Sequence, residues 1–146
     1  MNIVRRLAAE TRMVVEPAEL ADVLSAYLAR LSPDIRSAVI GEAPAIALSQ
    51  YQAYQVFLVL REAIRNAVAH GQPQEITVET RIVGTDFTGT VTDDGTGFTV
   101  EEGGDGTGLA SMRERASILG ATLTVVSDPG RTEVKLTVPL ARKETR

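Results

Sequence analysis

The chain has no cysteine, so neither a disulfide nor a thiolate metal site is open to it. A single histidine, His70, cannot build a histidine-rich zinc centre. The only lysines are Lys135 and Lys143, and neither follows a glycine-rich loop, so a P-loop, which requires Lys after its last glycine, is excluded. No apolar run reaches the roughly 18–20 residues needed to cross a bilayer. The stretch from Met1 to Arg12 carries arginines but no continuous apolar core like that of a signal peptide. A cytoplasmic location and no direct membrane contact are the resulting expectations. Positive charge is also in deficit. Fifteen Lys and Arg face 19 Asp and Glu, and the net charge of −4 argues against a nucleic-acid binder held by phosphate contacts.

What is present suits a single soluble domain. The 146 residues are 44% hydrophobic and 23% charged, enough for one two- or three-layer core. No internal repeat and no second domain is visible. Leu20, Val23, Leu24, Tyr27, Leu28 and Leu31 recur at spacings of three and four, which predicts an amphipathic helix between Pro17 and Pro33, within a helical stretch 1–31. Asp34 to Ile40 reads as a strand, and Gly41 to Pro44 as a loop. Residues 50–70 form the strongest helix, with Ala53, Phe57, Leu60, Ile64 and Ala67 on one face and Gly71 placed as its stop. Two strands follow, Ile76 to Ile82 and Phe87 to Thr92, around a turn at Gly84-Thr85-Asp86. Phe98 to Gly106 is polar and glycine-rich and is predicted to be mobile. Leu109, Met112, Ala116 and Leu119 mark a short helix ending at Gly120. A hairpin closes the chain, with Thr122 to Ser127 and Glu133 to Leu140 joined at Asp128-Pro129-Gly130, before a charged tail over 141–146. Hairpins outnumber helical crossovers in this order. The expected fold class is therefore α+β: a two-layer sandwich in which helices cover one face of a mixed, mostly antiparallel sheet.

Three short motifs carry the chemistry. Glu62, Asn66 and His70 are spaced by four on the long helix and share a stripe. That stripe reads either as a solvated polar face or as a ligand set. In the second case the Asn amide offers a neutral oxygen to a hard cation such as Mg²⁺, and the carboxylate one turn away orients a water or accepts a proton. Asp93-Asp94-Gly95-Thr96-Gly97 follows a strand. It is either a plain turn or a carboxylate that takes a hydrogen bond from an exocyclic amino group, with glycines that let a flat ring such as adenine approach the backbone. Gly103 to Leu109 is either a linker or an anion site, since its glycines end where an apolar helix begins and a helix N-terminus offers free N–H groups. A dinucleotide fingerprint built on Gly106 and Gly108 fails on context, because residues 101–105 are not a buried strand. Asp128 to Thr132 reads either as a plain tight turn or as one that brings the Thr132 hydroxyl, at the start of the last strand, towards the base region, and the sequence alone does not decide between them.

Leu60 to His70 (LREAIRNAVAH), Asp93 to Gly97 and Gly106 to Leu109 together resemble the N box and two glycine boxes of the ATP-binding domain of bacterial two-component sensor histidine kinases. More broadly they resemble the ATPase superfamily shared with type II topoisomerases, heat-shock chaperones and mismatch-repair proteins. Gly108 to Ala116 (GLASMRERA), Leu119-Gly120 and Ser127 to Gly130 are similar to the subfamily that partners LuxR/NarL-type response regulators. The resemblance covers roughly residues 18–140 and implies a role at each matching position. Asn66 would hold Mg²⁺ against the triphosphate of ATP, with His70 beside it in the N box. Glu62 would assist the phosphoryl acceptor or orient water. Asp93 would bind the adenine amino group, with Thr132 helping through a water, and Gly95 and Gly97 would shape the base pocket. Gly106, Thr107, Gly108 and Leu109 would receive phosphates under a lid over 98–107.

Ala69 stands where the resembled family often has Lys or Arg, which removes one phosphate-neutralising charge, and Arg65 lies about 100° round the helix from Asn66. Arg131-Thr132 stands where Gly-Thr is common. The resemblance further implies a fragment of a longer kinase. Residues 1–17 would be a remnant of the dimerisation-helix region or a linker, and 18–140 the catalytic domain. The phosphoacceptor His would lie on a dimerisation domain absent from this chain, so that the fragment is monomeric, does not autophosphorylate alone, and its parent is a homodimer. A stand-alone anti-sigma-type regulator, or a degenerate module that only binds protein, is the alternative. A generic chaperone- or topoisomerase-like ATPase is a third reading.

Overall fold

The computed structural model describes residues 15–31, 33–41, 47–97 and 108–140. A 3₁₀ turn at Pro17–Glu19 leads into helix α1 (Leu20–Leu31), and strand β1 (Arg36–Gly41) follows. Helix α2 (Gln50–Asn66) comes next and is prolonged by a π-helical turn at Ala67–Gly71. Strands β2 (Glu75–Val83) and β3 (Asp86–Asp93) form a hairpin. Helix α3 (Leu109–Leu119) precedes a second hairpin of β4 (Thr122–Asp128) and β5 (Arg131–Pro139). Among the described residues no helix is long and apolar enough to cross a membrane.

The five strands lie in the order β1-β2-β3-β5-β4. β1 pairs with β2 in parallel, because α2 carries the chain back across one face between them. The other pairings are antiparallel. This is the mixed sheet and α+β sandwich predicted from the order of elements.

Alternation along each strand builds the core. Ile76 and Val78 on β2, Phe87 and Val91 on β3, and Val134, Leu136 and Val138 on β5 are buried towards the helices. Leu20, Leu24 and Leu28 of α1, Val56, Leu60 and Ile64 of α2, and Leu109, Met112 and Ala116 of α3 meet them from the other layer. Each fully buried side chain of this size contributes about 1.5–3 kcal/mol of transfer free energy. Between them they fix which face of each helix turns inward.

Two local devices place α2. Ser49 caps its start: Ser49 Oγ accepts from the Gln52 amide at 3.0 Å, and the Ser49 amide donates to Gln52 Oε1 at 2.9 Å, a reciprocal capping box. Farther along, Gly89 in β3 leaves room for Leu60, since a Cβ there would lie 3.1 Å from Leu60 Cδ1. The second half of α2 therefore sits close against the central strand, which is the half that carries Glu62 and Asn66.

The helix ends differently from the sequence reading. The left-handed residue that stops it is Gln72 (φ 48°), not Gly71. Gly71 instead belongs to the π turn and lies against the loop after β3. The strand boundaries also shift slightly: β1 includes Gly41, and β5 begins at Arg131. The predicted mobile segment 98–106, the tail 141–146 and residues 1–14 of the N-terminal helical stretch lie outside the described residues.

Candidate nucleotide site

Asp93 is the last residue of β3. It sits in register between Ile76 of β2 and Thr132 of β5, at the end of the central strands. It is only 5% exposed. Oδ1 accepts the Gly95 amide at 2.7 Å, while among the described residues Oδ2 takes no hydrogen bond. Burial pushes the carboxyl above its ordinary pKa; the Gly95 amide opposes this, and the neighbouring Asp94 charge adds to it. Asp93 is thus a desolvated acceptor with one oxygen anchored and the other available to a donor.

Asp94 has the opposite task. Its Oδ1 accepts the Gln74 and Glu75 amides at 2.8 and 3.0 Å, which ties the exit of β3 to the entry of β2. Those amides, Glu75 first, hold its carboxyl below the usual value.

The loop after Asp93 is pressed between two other elements. The Thr96 amide donates to the Gly71 carbonyl at 2.8 Å, and the Gly130 amide donates to the Gly95 carbonyl at 2.9 Å. A Cβ at position 95 would strike the Gly71 carbonyl oxygen and lie 2.7 Å from its carbon. Gly97 has φ +82°, and a Cβ there would lie 2.6 Å from Ser127 Oγ and 3.3 Å from Thr132 Oγ1. Both glycines are required by closeness of approach, and Gly97 also by backbone conformation. Thr132 is 3% exposed, and its hydroxyl lies 2.8 Å from that of Ser127, its cross-strand partner.

Glu62 and Asn66 occupy the last turns of α2. Asn66 is 4% exposed, and its Nδ2 is buried without a partner. An unpaired buried amide costs on the order of 1–3 kcal/mol, so such a group points to a ligand. A half-turn of the amide exchanges its nitrogen and oxygen. The position can therefore donate to a phosphate oxygen or present an oxygen to a cation. Among the described residues no group of three or more His, Cys, Asp or Glu could hold a metal.

Glu62 Oε1 accepts from Arg65 Nη1 at 3.2 Å. The rest of its side chain lies flat against Gly108, where a Cβ would overlap the carboxylate. Gly108 is the N-cap of α3, with φ +77° and ψ 8°, and brings no side chain to cap the first-turn amides. Leu109, 2% exposed, anchors that turn in the core. The amide-rich start of α3 is thereby held beside Glu62, one helical turn from Asn66.

The structure brings Glu62, Asn66, Asp93, Gly95, Gly97, Gly108, Leu109 and Thr132 onto one end of the helix–sheet interface. α2 is the bridge: Glu62 touches the start of α3, and Gly71 touches the Asp93 loop. His70 falls in the π turn, its side chain is exposed, and its carbonyl accepts from Thr96 Oγ1 at 3.4 Å. Gly106 and Thr107 lie outside the described residues. Two contributors escaped the sequence reading as site residues, Gly71 and Ser127. The signal for Ser127 was its parity with Leu123 and Val125, which makes it a hydroxyl on an inward-facing strand position.

A separate concavity of about 170 Å³ is lined by Glu75, Thr77, Thr92, Asp93, Asp94, Gly130 and Arg131. Thr77 and Thr92 alternate with the buried strand residues, so it opens on the helix-free face. It shares only Asp93 with the constellation above.

Comparison with known proteins shows the family and the fold. Residues 52–142 match the model of the histidine kinase-, DNA gyrase B-, and HSP90-like ATPase family. The signal transduction histidine-protein kinase/phosphatase UhpB of Salmonella typhimurium is 34% identical over 93 residues, 64% of this chain and 18% of that protein. The sensor protein NarQ homolog of Haemophilus influenzae is 31% identical over 140 residues, 92% of this chain and 25% of that protein. The chain thus spans a quarter or less of these two relatives. The ATP binding domain of PrrB from Mycobacterium tuberculosis has the same fold, with a TM-score of 0.69 at 21% identity over 89% of this chain and 98% of that one. The match spans the elements that carry Glu62, Asn66, Asp93, Gly108 and Thr132, and the chain belongs to the histidine kinase-, DNA gyrase B-, and HSP90-like ATPase family.

Proposed function

We propose that this domain binds Mg·ATP and acts as the catalytic domain of a sensor histidine kinase, donating the γ-phosphoryl group to a histidine on a dimerisation domain of its parent protein. The observation that carries the reading is Asn66. A buried amide with no partner sits one turn from a glutamate that lies against a glycine-started helix. From Glu62 to Gly71 the helix axis advances about 13 Å, at about 1.5 Å per residue. That is comparable to the reach of an extended nucleoside triphosphate, with the base at Asp93 and the phosphates at the start of α3.

In this reading Asp93 Oδ2 accepts from the adenine amino group, and Gly95 and Gly97 let the ring lie against the backbone. Thr132, paired to Ser127, presents its hydroxyl beside Asp93. Asn66 would hold Mg²⁺, which supplies neutralisation of the phosphate charge. The α3 amides receive phosphate oxygens and make good part of the charge missing at Ala69. Glu62 accepts the proton of the attacking group, while the acceptor nitrogen bonds to the γ-phosphorus and the bond to the β-γ bridging oxygen breaks, leaving ADP. Such a transfer asks mainly for positioning and charge neutralisation, which this set of groups is built to provide.

The relatives named as a signal transduction histidine-protein kinase/phosphatase and a sensor protein support a signalling role; the GLASMRERA segment extends the reading to a LuxR/NarL-type response regulator, with the domain acting in the cytoplasm. Residues 1–17 would join the domain to the dimerisation helices. Calorimetry with ADP and a non-hydrolysable ATP analogue, each with and without Mg²⁺, tests the core of this. Saturable, magnesium-dependent binding is expected. No heat with either nucleotide at millimolar concentration would refute it.

A further inference from the structure

α2 and α3 touch at a second polar point, outside the nucleotide constellation. Gln55 lies on α2, two turns before Glu62, and is 6% exposed. Its Oε1 accepts from Arg115 Nη1 at 3.1 Å. Arg115 lies on α3, two turns after Gly108. Seven positions separate Gln55 from Glu62, and seven separate Gly108 from Arg115. At about 3.6 residues per turn and about 1.5 Å per residue, both pairs stand on one face of their helix and about 10 Å apart. The helices run antiparallel at this contact, so the two points fall opposite each other: Gln55 against Arg115, and Glu62 against Gly108.

We infer that the Gln55–Arg115 hydrogen bond is a positioning pair, which sets the axial register of α3 along α2 and so holds the amides at the start of α3 beside Glu62 and Asn66. The inference rests on the nucleotide reading above and extends it to residues that touch no ligand. The remaining contacts of α3 with the core are apolar, made by the buried Leu109, Met112 and Ala116 and the partly buried Leu119. Apolar contact is non-directional and tolerates sliding. A hydrogen bond between a buried amide and a guanidinium is directional, and losing it strands a buried acceptor. Among the described residues it is the only side-chain hydrogen bond that α3 makes to another element. Polar pairs that fix register in this way are the best-attested use of buried polar groups.

The test compares two probes, Mg·ADP and adenosine. Adenosine reports the base site at Asp93, whereas ADP also reads the position of the α3 amides. Gln55→Leu and Arg115→Met are each expected to weaken Mg·ADP about five- to tenfold, the scale of one lost hydrogen bond. Adenosine should change less than about twofold. The double variant should be no weaker than the weaker single, because both remove one interaction. Gln55→Glu keeps the acceptor, adds charge assistance, and is expected to retain parental ADP affinity. Thermal melting confirms that each variant is folded.

Equal losses for ADP and adenosine would show a merely structural pair and overturn the inference. So would single variants that bind ADP like the parent, or losses that add in the double variant. A parent chain that binds neither probe overturns the nucleotide reading itself, and this inference with it. A parent that binds both while the variants match it removes only the positioning role.

Discussion

Asp93→Asn separates the two consequences of burying a carboxylate at the end of β3. Asn and Asp are isosteric, so the side-chain oxygen can still accept the Gly95 amide now received at 2.7 Å. The other position then carries an NH₂ where Oδ2 stood. A donor faces the donor of the adenine amino group, and rotating the amide only moves the mismatch to Gly95. The lost bond is charge-assisted and worth about 1.5–3 kcal/mol, so ADP affinity should fall by roughly 10- to 150-fold. Stability should move the other way. The folded-state pKa of Asp93 is raised, chiefly by burial, so the ionised form is disfavoured in the folded protein. A raised carboxylate contributes stability below its unfolded value of 3.8 and loses it as pH rises through the folded value. At pH 7 the neutral Asn removes that cost and relieves repulsion from Asp94. The variant should therefore melt above the parent at pH 7, and the gap should close as pH falls through the raised pKa towards 3.8. Calorimetric titration with ADP and melting curves from pH 3 to 8 measure both arms. A variant that binds ADP like the parent, or that melts below it at neutral pH, refutes the assignment.

Four further outcomes follow from the same geometry. Gly108→Ala meets both a left-handed backbone and Glu62, so it should lose more than the ~1–2 kcal/mol of conformational strain and lose ADP binding as well. Gly120→Ala, with φ +67° and nothing within 4 Å, should lose only the strain, and denaturation with parallel ADP titration distinguishes the two. Asn66→Ala removes an unpaired buried amide, so melting should be little changed while the magnesium dependence of nucleotide binding disappears in calorimetry. Asp94→Ala should lower the melting temperature at pH 7 by freeing the Gln74 and Glu75 amides. Because the Asp94 pKa is depressed, its contribution is present above the unfolded value and lost as pH falls through the folded one, so the difference between parent and variant should shrink on acidification.

Periodicity makes much of this protein legible in its sequence. The spacing of Leu20, Leu24 and Leu28, the alternation about Ile76 and Val78, and the stop at Gly120 each reflect a local rule, period 3.6, period 2, or a left-handed glycine cap, and the structure obeys them. The exception is the end of α2. Gly71 looked like a cap, but the left-handed turn fell to Gln72, because the chain enters a π turn that seats Gly71 against Gly95. That same turn carries His70, whose side chain is exposed where Asn66 is buried.

The sequence by itself determined the elements, their inward faces and three polar motifs, since each depends on residues within a turn or two of one another. Only the tertiary structure decided that Thr132 lies beside Asp93, that Ser127 pairs with Thr132 beneath Gly97, that Glu62 lies against Gly108, and that Gln55 holds Arg115. These meetings bring together residues from different elements, across sheet order and helix register. They are set by how the layers pack, and burial at the interface leaves Asp93 desolvated and the Asn66 amide without a partner.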